Sequence, residues 1–423
     1  MQTAPKSFRC HIGIYGRRNV GKSSLMNLVT RQEVSIVSHK AGTTTDPVEK
    51  PMEFLPLGPV LFIDTAGIDD SGDLGKLRIE KTKKIFDRTD LAVIVTEANV
   101  WGEFEEHLML EFTERKIPLV IVLNKIDLYP VDSAIVNRFG QKHCIALSTK
   151  DSSSLAAFRK AILAAAPEEL FNNPVILRDI LNPKEIAIQV MPIDKEAPKG
   201  RLLLPQVQAL RDSLDGSSIS IVVKESELKD ALDALKAPPK LVVTDSSVFH
   251  LIKDIVPKNV WLTSFSILFS RLKGDLVSQT LGALTLKQLK PGDKVLISEA
   301  CSHHPIEDDI GRVKIPRWIK QYVGGEIDFT IKQGHDFPTN LQEYKLVVFC
   351  GSCMFNRREV LSRILACHEA GVPCTNYGLV IAFCLDMLER VLEPFPEAVA
   401  AYRAVCEENT LRKFNHVKST SYK

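Results

Sequence analysis

The chain has 423 residues, of which 45% are apolar and 25% charged, with a formal net charge of +2. That length exceeds one ordinary core and predicts roughly two or three domains. The composition argues against a disordered chain, and the charge balance offers no basic excess of the kind nucleic acid attracts.

No apolar run approaches the ~18 residues of a membrane helix, so no membrane partner is expected. Met1 to Cys10 has no apolar stretch like that of a cleaved leader. Nine cysteines, an odd number scattered over a long chain, fit a reducing cytoplasm and metal ligation better than a disulfide framework.

From the start, Phe8, Cys10, Ile12 and Ile14 alternate like a strand. Gly16-Arg17-Arg18-Asn19-Val20-Gly21-Lys22-Ser23 then fills the pattern G-x-x-x-x-G-K-S/T, and Ser24 to Leu28 reads as a helix start. Strand, glycine-rich loop and helix N-terminus are what a phosphate cradle requires, with backbone N–H groups pointing inward. Lys22 would meet the β- and γ-phosphates, Ser23 would bind Mg²⁺, and Ser24 joins the nucleotide-contacting set.

Asp64-Thr65-Ala66-Gly67 closes an apolar run from Val60 to Ile63. Asp64 would reach Mg²⁺ through water and the Gly67 N–H would sense the γ-phosphate. Asn124-Lys125-Ile126-Asp127 ends a run from Ile117 to Leu123. A carboxylate at Asp127 accepts both N1–H and N2–H₂ of guanine, which adenine cannot offer, and the Lys125 stem would lie along the purine.

Ser148-Thr149-Lys150 follows a further short strand and fits the weaker box whose backbone N–H meets guanine O6. Four boxes in order, each at a strand's end, predict a GTPase domain using GTP and Mg²⁺. Ile68 stands where many GTPases place a water-orienting glutamine, so intrinsic hydrolysis is expected to be slow unless charge is supplied otherwise.

Asn19 and the run Gly42-Thr43-Thr44-Thr45-Asp46 resemble the TrmE–Era–EngA group of GTPases. In that group the asparagine helps hold a K⁺ ion, and the resemblance makes Thr44 the switch threonine on Mg²⁺. The alternative for Asn19 is a brace within the loop. The two switch segments fall roughly at Ser35 to Pro47 and Ile68 to Leu77.

The first domain is expected over 1–168, closed by a helix from Leu155 to Ala166. Short apolar runs at Ile186 to Met191, Ser218 to Val223, Lys240 to Val243 and Val260 to Leu262 alternate with helical patterns at Gln206 to Leu214, Glu227 to Leu235 and Val248 to Val256. This predicts a small parallel sheet over 169–262. It carries no glycine-rich loop, so it reads as a connector or a self-association surface giving a homodimer.

A third α/β part is expected over 263–423. Its strands fall at Lys294 to Ser298, Ile327 to Ile331, Lys345 to Phe349 and Val372 to Thr375, and its helices at Pro316 to Val323, Arg357 to Ala370 and Leu379 to Leu392. Arg412 to Lys423 reads as a polar, basic tail. The fold class is α/β: a P-loop GTPase domain followed by two smaller α/β domains with largely parallel sheets.

Cys301-Ser302-His303-His304 and Cys350-Gly351-Ser352-Cys353 each follow one of these strands, and the second precedes a helix whose N–H dipoles are expected to lower the thiol pKa. Chemistry in open parallel sheets collects beyond the strands' C-terminal ends. Three cysteines and one or two histidines would then converge. An iron–sulfur cluster, a structural Cys₃His zinc site and a redox pair of Cys350 with Cys353 all remain open. Cys10, Cys144, Cys367, Cys374, Cys384 and Cys406 read as core residues.

Taken with Pro198-Lys199-Gly200-Arg201-Leu202, Asp309-Ile310-Gly311-Arg312 and Asn376-Tyr377-Gly378, this layout resembles the FeFe-hydrogenase maturation GTPase family, HydF, over nearly the whole chain. The resemblance implies that Cys301, Cys350 and Cys353 bind a 4Fe–4S cluster and that the middle domain dimerises. It also implies a scaffold that carries a two-iron precursor to apo FeFe-hydrogenase, alongside radical-SAM maturases.

Many members have His just before the Cys-x-x-Cys, where this chain has Phe349. The fourth ligand is thus left to His303, His304, Glu299 or an exogenous group. The competing function is a TrmE–Era-type GTPase acting on the ribosome or tRNA with a structural zinc site. No G-x-x-G clamp or aromatic-rich sheet suited to RNA is evident.

Overall fold

A computed structural model describes residues 5–30, 47–65, 84–140, 143–171, 175–193, 202–300 and 309–420, with side chains in the last helix as far as 408. The chain divides into two compact units, Met1–Asn173 and Pro174–Lys423.

The first unit is built on six strands: β1 (Cys10–Tyr15), β2 (Val48–Phe54), β3 (Gly58–Asp64), β4 (Leu91–Glu97), β5 (Leu119–Asn124) and β6 (Cys144–Ala146). They lie in the order β2-β3-β1-β4-β5-β6, and every pairing is parallel except β2 with β3. The boxes therefore hang from one edge of the sheet, with β4 separating β3 and β1 on the phosphate side from β5 and β6 on the guanine side. β1 alternates in sequence yet all six of its residues are buried, because helices cover both faces of a parallel sheet.

Two strands carry no box and escape a reading led by the boxes. β4 is a continuous apolar run, Leu91 to Val95, buried at the centre of the sheet. β2 is a polar antiparallel edge, where Pro51, two glutamates and one lysine sit at low cost. Phe62, Phe158, Ile12 and Leu25 fill the core on one face, and Tyr15, Phe86 and Phe112 pack together on the other.

The second unit holds two four-stranded sheets. The first comprises β7 (Ile186–Val190), β8 (Ile219–Val223), β9 (Leu241–Thr244) and β10 (Trp261–Ser264), ordered β10-β9-β7-β8. The second comprises β11 (Lys294–Glu299), β12 (Asp328–Gln333), β13 (Leu346–Phe349) and β14 (Cys374–Asn376), ordered β12-β11-β13-β14. Both are wholly parallel.

The two sheets share one topology, in which the strand order reverses between the first and third strands. A helix the sequence reading omitted, Phe265–Lys273, joins them. It packs on helix Leu204–Asp215 of the first sheet and on helices Arg357–Glu369 and Tyr377–Cys384 of the second. A further omitted helix, Leu276–Leu284, lies against β14, where a Cβ on Gly282 would fall 1.9 Å from the Cys374 carbonyl oxygen.

The single helix expected from Leu379 to Leu392 is two, Tyr377–Cys384 and Leu388–Leu392. Asp386 between them has φ 55°, a left-handed backbone that ends the first helix. The last helix, Pro396–Thr420, continues through most of the expected tail. Among the described residues no helix is long and apolar enough to cross a membrane.

Candidate functional site

The phosphate loop joins β1 to helix Lys22–Thr30, and three of its residues take positive φ: Gly16 (145°), Asn19 (59°) and Gly21 (100°). Gly16 is obligatory, since a Cβ there would lie 2.1 Å from the Val95 carbonyl oxygen of β4. The Lys22 ammonium is buried and donates to the carbonyls of Gly16 at 2.8 Å and Arg17 at 2.6 Å, so it sits inside the loop's curve.

Ser23 Oγ donates to Asp64 Oδ2 at 2.6 Å. The two residues expected to meet Mg²⁺, one on helix Lys22–Thr30 and one at the end of β3, thus meet, and their oxygens are the hard donors that ion prefers. Arg17 forks onto the fully buried Glu105 with bonds of 2.8 and 2.9 Å, tying the loop to helix Glu103–Glu114. That brace is not signalled by any box. Asn19 is exposed on the loop.

The guanine boxes converge on Asn124. Its Nδ2 donates to the Val20 carbonyl at 2.8 Å and its Oδ1 accepts from Thr149 N–H at 3.2 Å. Gly21 passes so close that a Cβ would fall 2.1 Å from Asn124 Nδ2. Asp127 accepts from Ser148 Oγ at 2.7 Å and pairs with Lys150 Nζ at 2.9 Å. The Ser148 bond first, then Lys150, hold its carboxyl below the usual aspartate range, keeping it an acceptor.

Lys150 N–H donates to Ser148 Oγ at 3.3 Å, and Lys125 pairs with Glu97 at 2.6 Å. Thr44, Gly67, Ile68 and, apart from Pro47, both switch segments lie outside the described residues.

In the second unit, β11 and β13 are neighbours with Ser298 opposite Phe349. The strand order reverses between them, which is where ligands collect in open parallel sheets. Cys350 follows β13 directly. Its Sγ accepts from Ala300 N–H at 3.1 Å and Ser352 N–H at 3.4 Å, so the chain just before Cys301 touches the Cys350 sulfur. Soft sulfur donors receiving backbone N–H bonds at a sheet's C-terminal edge suit an iron–sulfur or zinc site.

Cys301, His303, His304 and Pro198 to Arg201 lie outside the described residues. Among the described residues no three His, Cys, Asp or Glu side chains converge to hold a metal ion.

The thiols are not acidified as expected. Burial pushes Cys350 up to about 11 and raises Cys353 as well. The physical reason is that helix Arg357–Glu369 starts too late: Asn356 caps it, accepting from Glu359 N–H at 3.2 Å, three residues beyond Cys353. Lys273, which no motif singles out, is buried beneath the loop and donates to the carbonyls of Ser352, Cys353 and Phe355 at 3.1, 3.2 and 2.7 Å. Burial lowers it to about 7, against the opposing pull of Cys353, Cys350 and Glu359.

Glu299 ends β11 and is buried, held by Gln333 at 3.1 Å, Tyr377 at 3.4 Å and Arg312 at 3.5 Å. Segments far apart in sequence, Asp309 to Arg312 and Asn376 to Gly378, therefore meet at one carboxylate. Gly311 is needed there because a Cβ would lie 2.1 Å from Tyr377 Oη. Phe349 is buried and stacks on Phe337 with ring centroids 6.1 Å apart.

Three family models match successive parts of the chain. They are the 50S ribosome-binding GTPase over 11–125, the hydrogen maturase F dimerization domain over 176–274 and the hydrogen maturase F tetramerization domain over 278–394. GTPase Der of Wolinella succinogenes is 36% identical over 132 residues, 30% of this chain and 27% of that protein. The tRNA modification GTPase MnmE of Acetivibrio thermocellus is 30% identical over 230 residues, 52% of this chain and 46% of that one.

The chain thus spans less than half the length of these curated relatives. Era from Aquifex aeolicus bound to GDP.AlF4- is 21% identical, covering 57% of this chain and 97% of that one with a TM-score of 0.34, too low to carry an inference. With a GTPase domain followed in order by both hydrogen maturase F domains, the chain is a HydF-type GTPase fused to additional domains.

Proposed function

We propose that this chain hydrolyses GTP, binds a 4Fe–4S cluster through Cys301, Cys350 and Cys353, and delivers a two-iron precursor to an apo FeFe-hydrogenase. The observation that carries the reading is the contact between Cys350 Sγ and Ala300 N–H at the point where the strand order reverses. It brings the Cys350–Cys353 loop beside the residue that precedes Cys301. Three protein thiolates would leave one iron able to bond an exchangeable group, which a carrier needs and a closed four-cysteine site lacks.

The GTPase domain supplies the timing. Its boxes offer ligands to Mg²⁺ and, at Asn19, to K⁺, but none to iron, so nucleotide state would bias conformation or partner choice. Radical-SAM maturases of the same route are the proposed source of the cargo, in a cytoplasmic setting. A homodimer is proposed through the domain over 169–262. Among the described residues β8 has a strand on one side only, and Ile219 and Val222 on it are 47% and 44% exposed.

Anaerobic purification tests the cluster: brown protein with iron and acid-labile sulfide supports it, and colourless protein with zinc supports the structural-site alternative. Protein loaded with the two-iron precursor should activate apo FeFe-hydrogenase. Loss of that activation with the cluster intact would remove the carrier role and leave the GTPase.

A further inference from the structure

Helix Phe265–Lys273 ends on a lysine that is only 3% exposed. A buried ammonium is costly unless its three donors and its charge are both answered. The donors are answered by the Ser352, Cys353 and Phe355 carbonyls, three backbone oxygens of one short turn. The turn is returned to the helix by Arg357, whose Nη1 donates to the Leu272 carbonyl at 2.6 Å.

Carbonyls are neutral acceptors, so the charge is answered otherwise. The groups whose negative charge would act on Lys273 are Cys353, Cys350 and, on helix Arg357–Glu369, Glu359. Glu359 is already paired with Arg363 and His335, each at 2.9 Å. As thiolates, the two sulfurs would place negative charge beside the Lys273 ammonium, which already lies 5.5 Å from the Phe269 ring centroid. Ligation of a metal requires both sulfurs as thiolates.

We propose that Lys273 is the positioning residue of the Cys350–Cys353 loop, holding its carbonyl scaffold and serving as counter-charge when both sulfurs ligate a metal centre as thiolates. This rests on the cluster reading above. A fixed cation beside the sulfurs favours the more negative, reduced form of an iron–sulfur centre, so it also sets that centre's potential. The helix supports the role from behind, since its carbonyl end already favours a cation.

The test uses the full chain reconstituted anaerobically with ferrous iron and sulfide, comparing wild type, Lys273→Gln and Lys273→Arg. Glutamine can still donate to a carbonyl but carries no charge; arginine keeps the charge in another shape. Iron and sulfide content report the scaffold, and an EPR-monitored reductive titration reports the counter-charge.

Expected is a more negative midpoint potential and lower iron content for Lys273→Gln, with Lys273→Arg restoring the wild-type potential in whatever fraction is loaded. Far-UV circular dichroism and thermal unfolding of the full chain serve as the folding control, because GTP hydrolysis belongs to the other compact unit and would survive local unfolding around Lys273. Lower iron with an unchanged potential in Lys273→Gln overturns the counter-charge and reduces Lys273 to packing. Wild-type content and potential in both variants overturn the proposal while the cluster reading stands. A wild-type chain that takes up no iron overturns both.

Discussion

The Asn124 amide bridges the Val20 carbonyl of the phosphate loop and the Thr149 N–H of the last guanine box, at 2.8 and 3.2 Å. It is fully buried, so the phosphate end and the base end of the site share one side chain. Asn124→Ala leaves a buried acceptor and a buried donor without it, at a cost of about 1–3 kcal/mol. Affinity for GDP and GTP should fall roughly 10-fold or more, measured with a fluorescent nucleotide. Unchanged affinity would separate the two halves of the site.

Lys22→Ala should lower GTP hydrolysis by about 100-fold or more, because it removes the charge facing the β- and γ-phosphates. Wild-type turnover should be slow and faster in K⁺ than in Na⁺. The exposed Asn19, with its left-handed backbone at the loop's tip, is the motive for the ion. Equal rates in the two salts would return Asn19 to the role of a brace.

Single replacement of Cys301, Cys350 or Cys353 by Ser should sharply lower reconstituted iron, since hard oxygen replaces soft thiolate. Cys384→Ser should not. That thiol lines a separate cavity of about 550 Å³ with Tyr322, Phe383 and Tyr402, and burial pushes it up to about 12. Full iron retained after loss of any one of the three would redraw the constellation. GTP hydrolysis should survive all of these changes.

Ile219→Lys with Val222→Lys should convert a dimer to monomer at micromolar concentration, read by light scattering after gel filtration. Charge on an unpaired strand edge opposes edge-to-edge pairing. The two side chains are already half exposed, so the fold should lose little, within about 0.5 kcal/mol. A dimer that persists would move the interface elsewhere in the second unit.

The nucleotide boxes, their order and the strands that carry them were determined by sequence alone, because each box is a contiguous run of atoms meeting one part of a ligand. The same holds for β7, β9, β11 and β13, short apolar runs bounded by polar turns, and for the pairing of both cysteine motifs with strand ends. What carried no local chemistry was not legible in that way. β4 was passed over for want of a box, although its continuous apolar run is itself a signal of burial.

Tertiary structure alone decided the rest, because long-range contact has no local signature. Lys273 looks like any helix-ending lysine until the fold lays the Cys350–Cys353 loop over it. Glu299 becomes a junction only when Tyr377 and Arg312 are brought to it from two other elements. The acidity of the cysteines turned on a matter of residues: the helix expected to acidify them begins at Arg357, beyond Asn356, and burial raises both thiols instead.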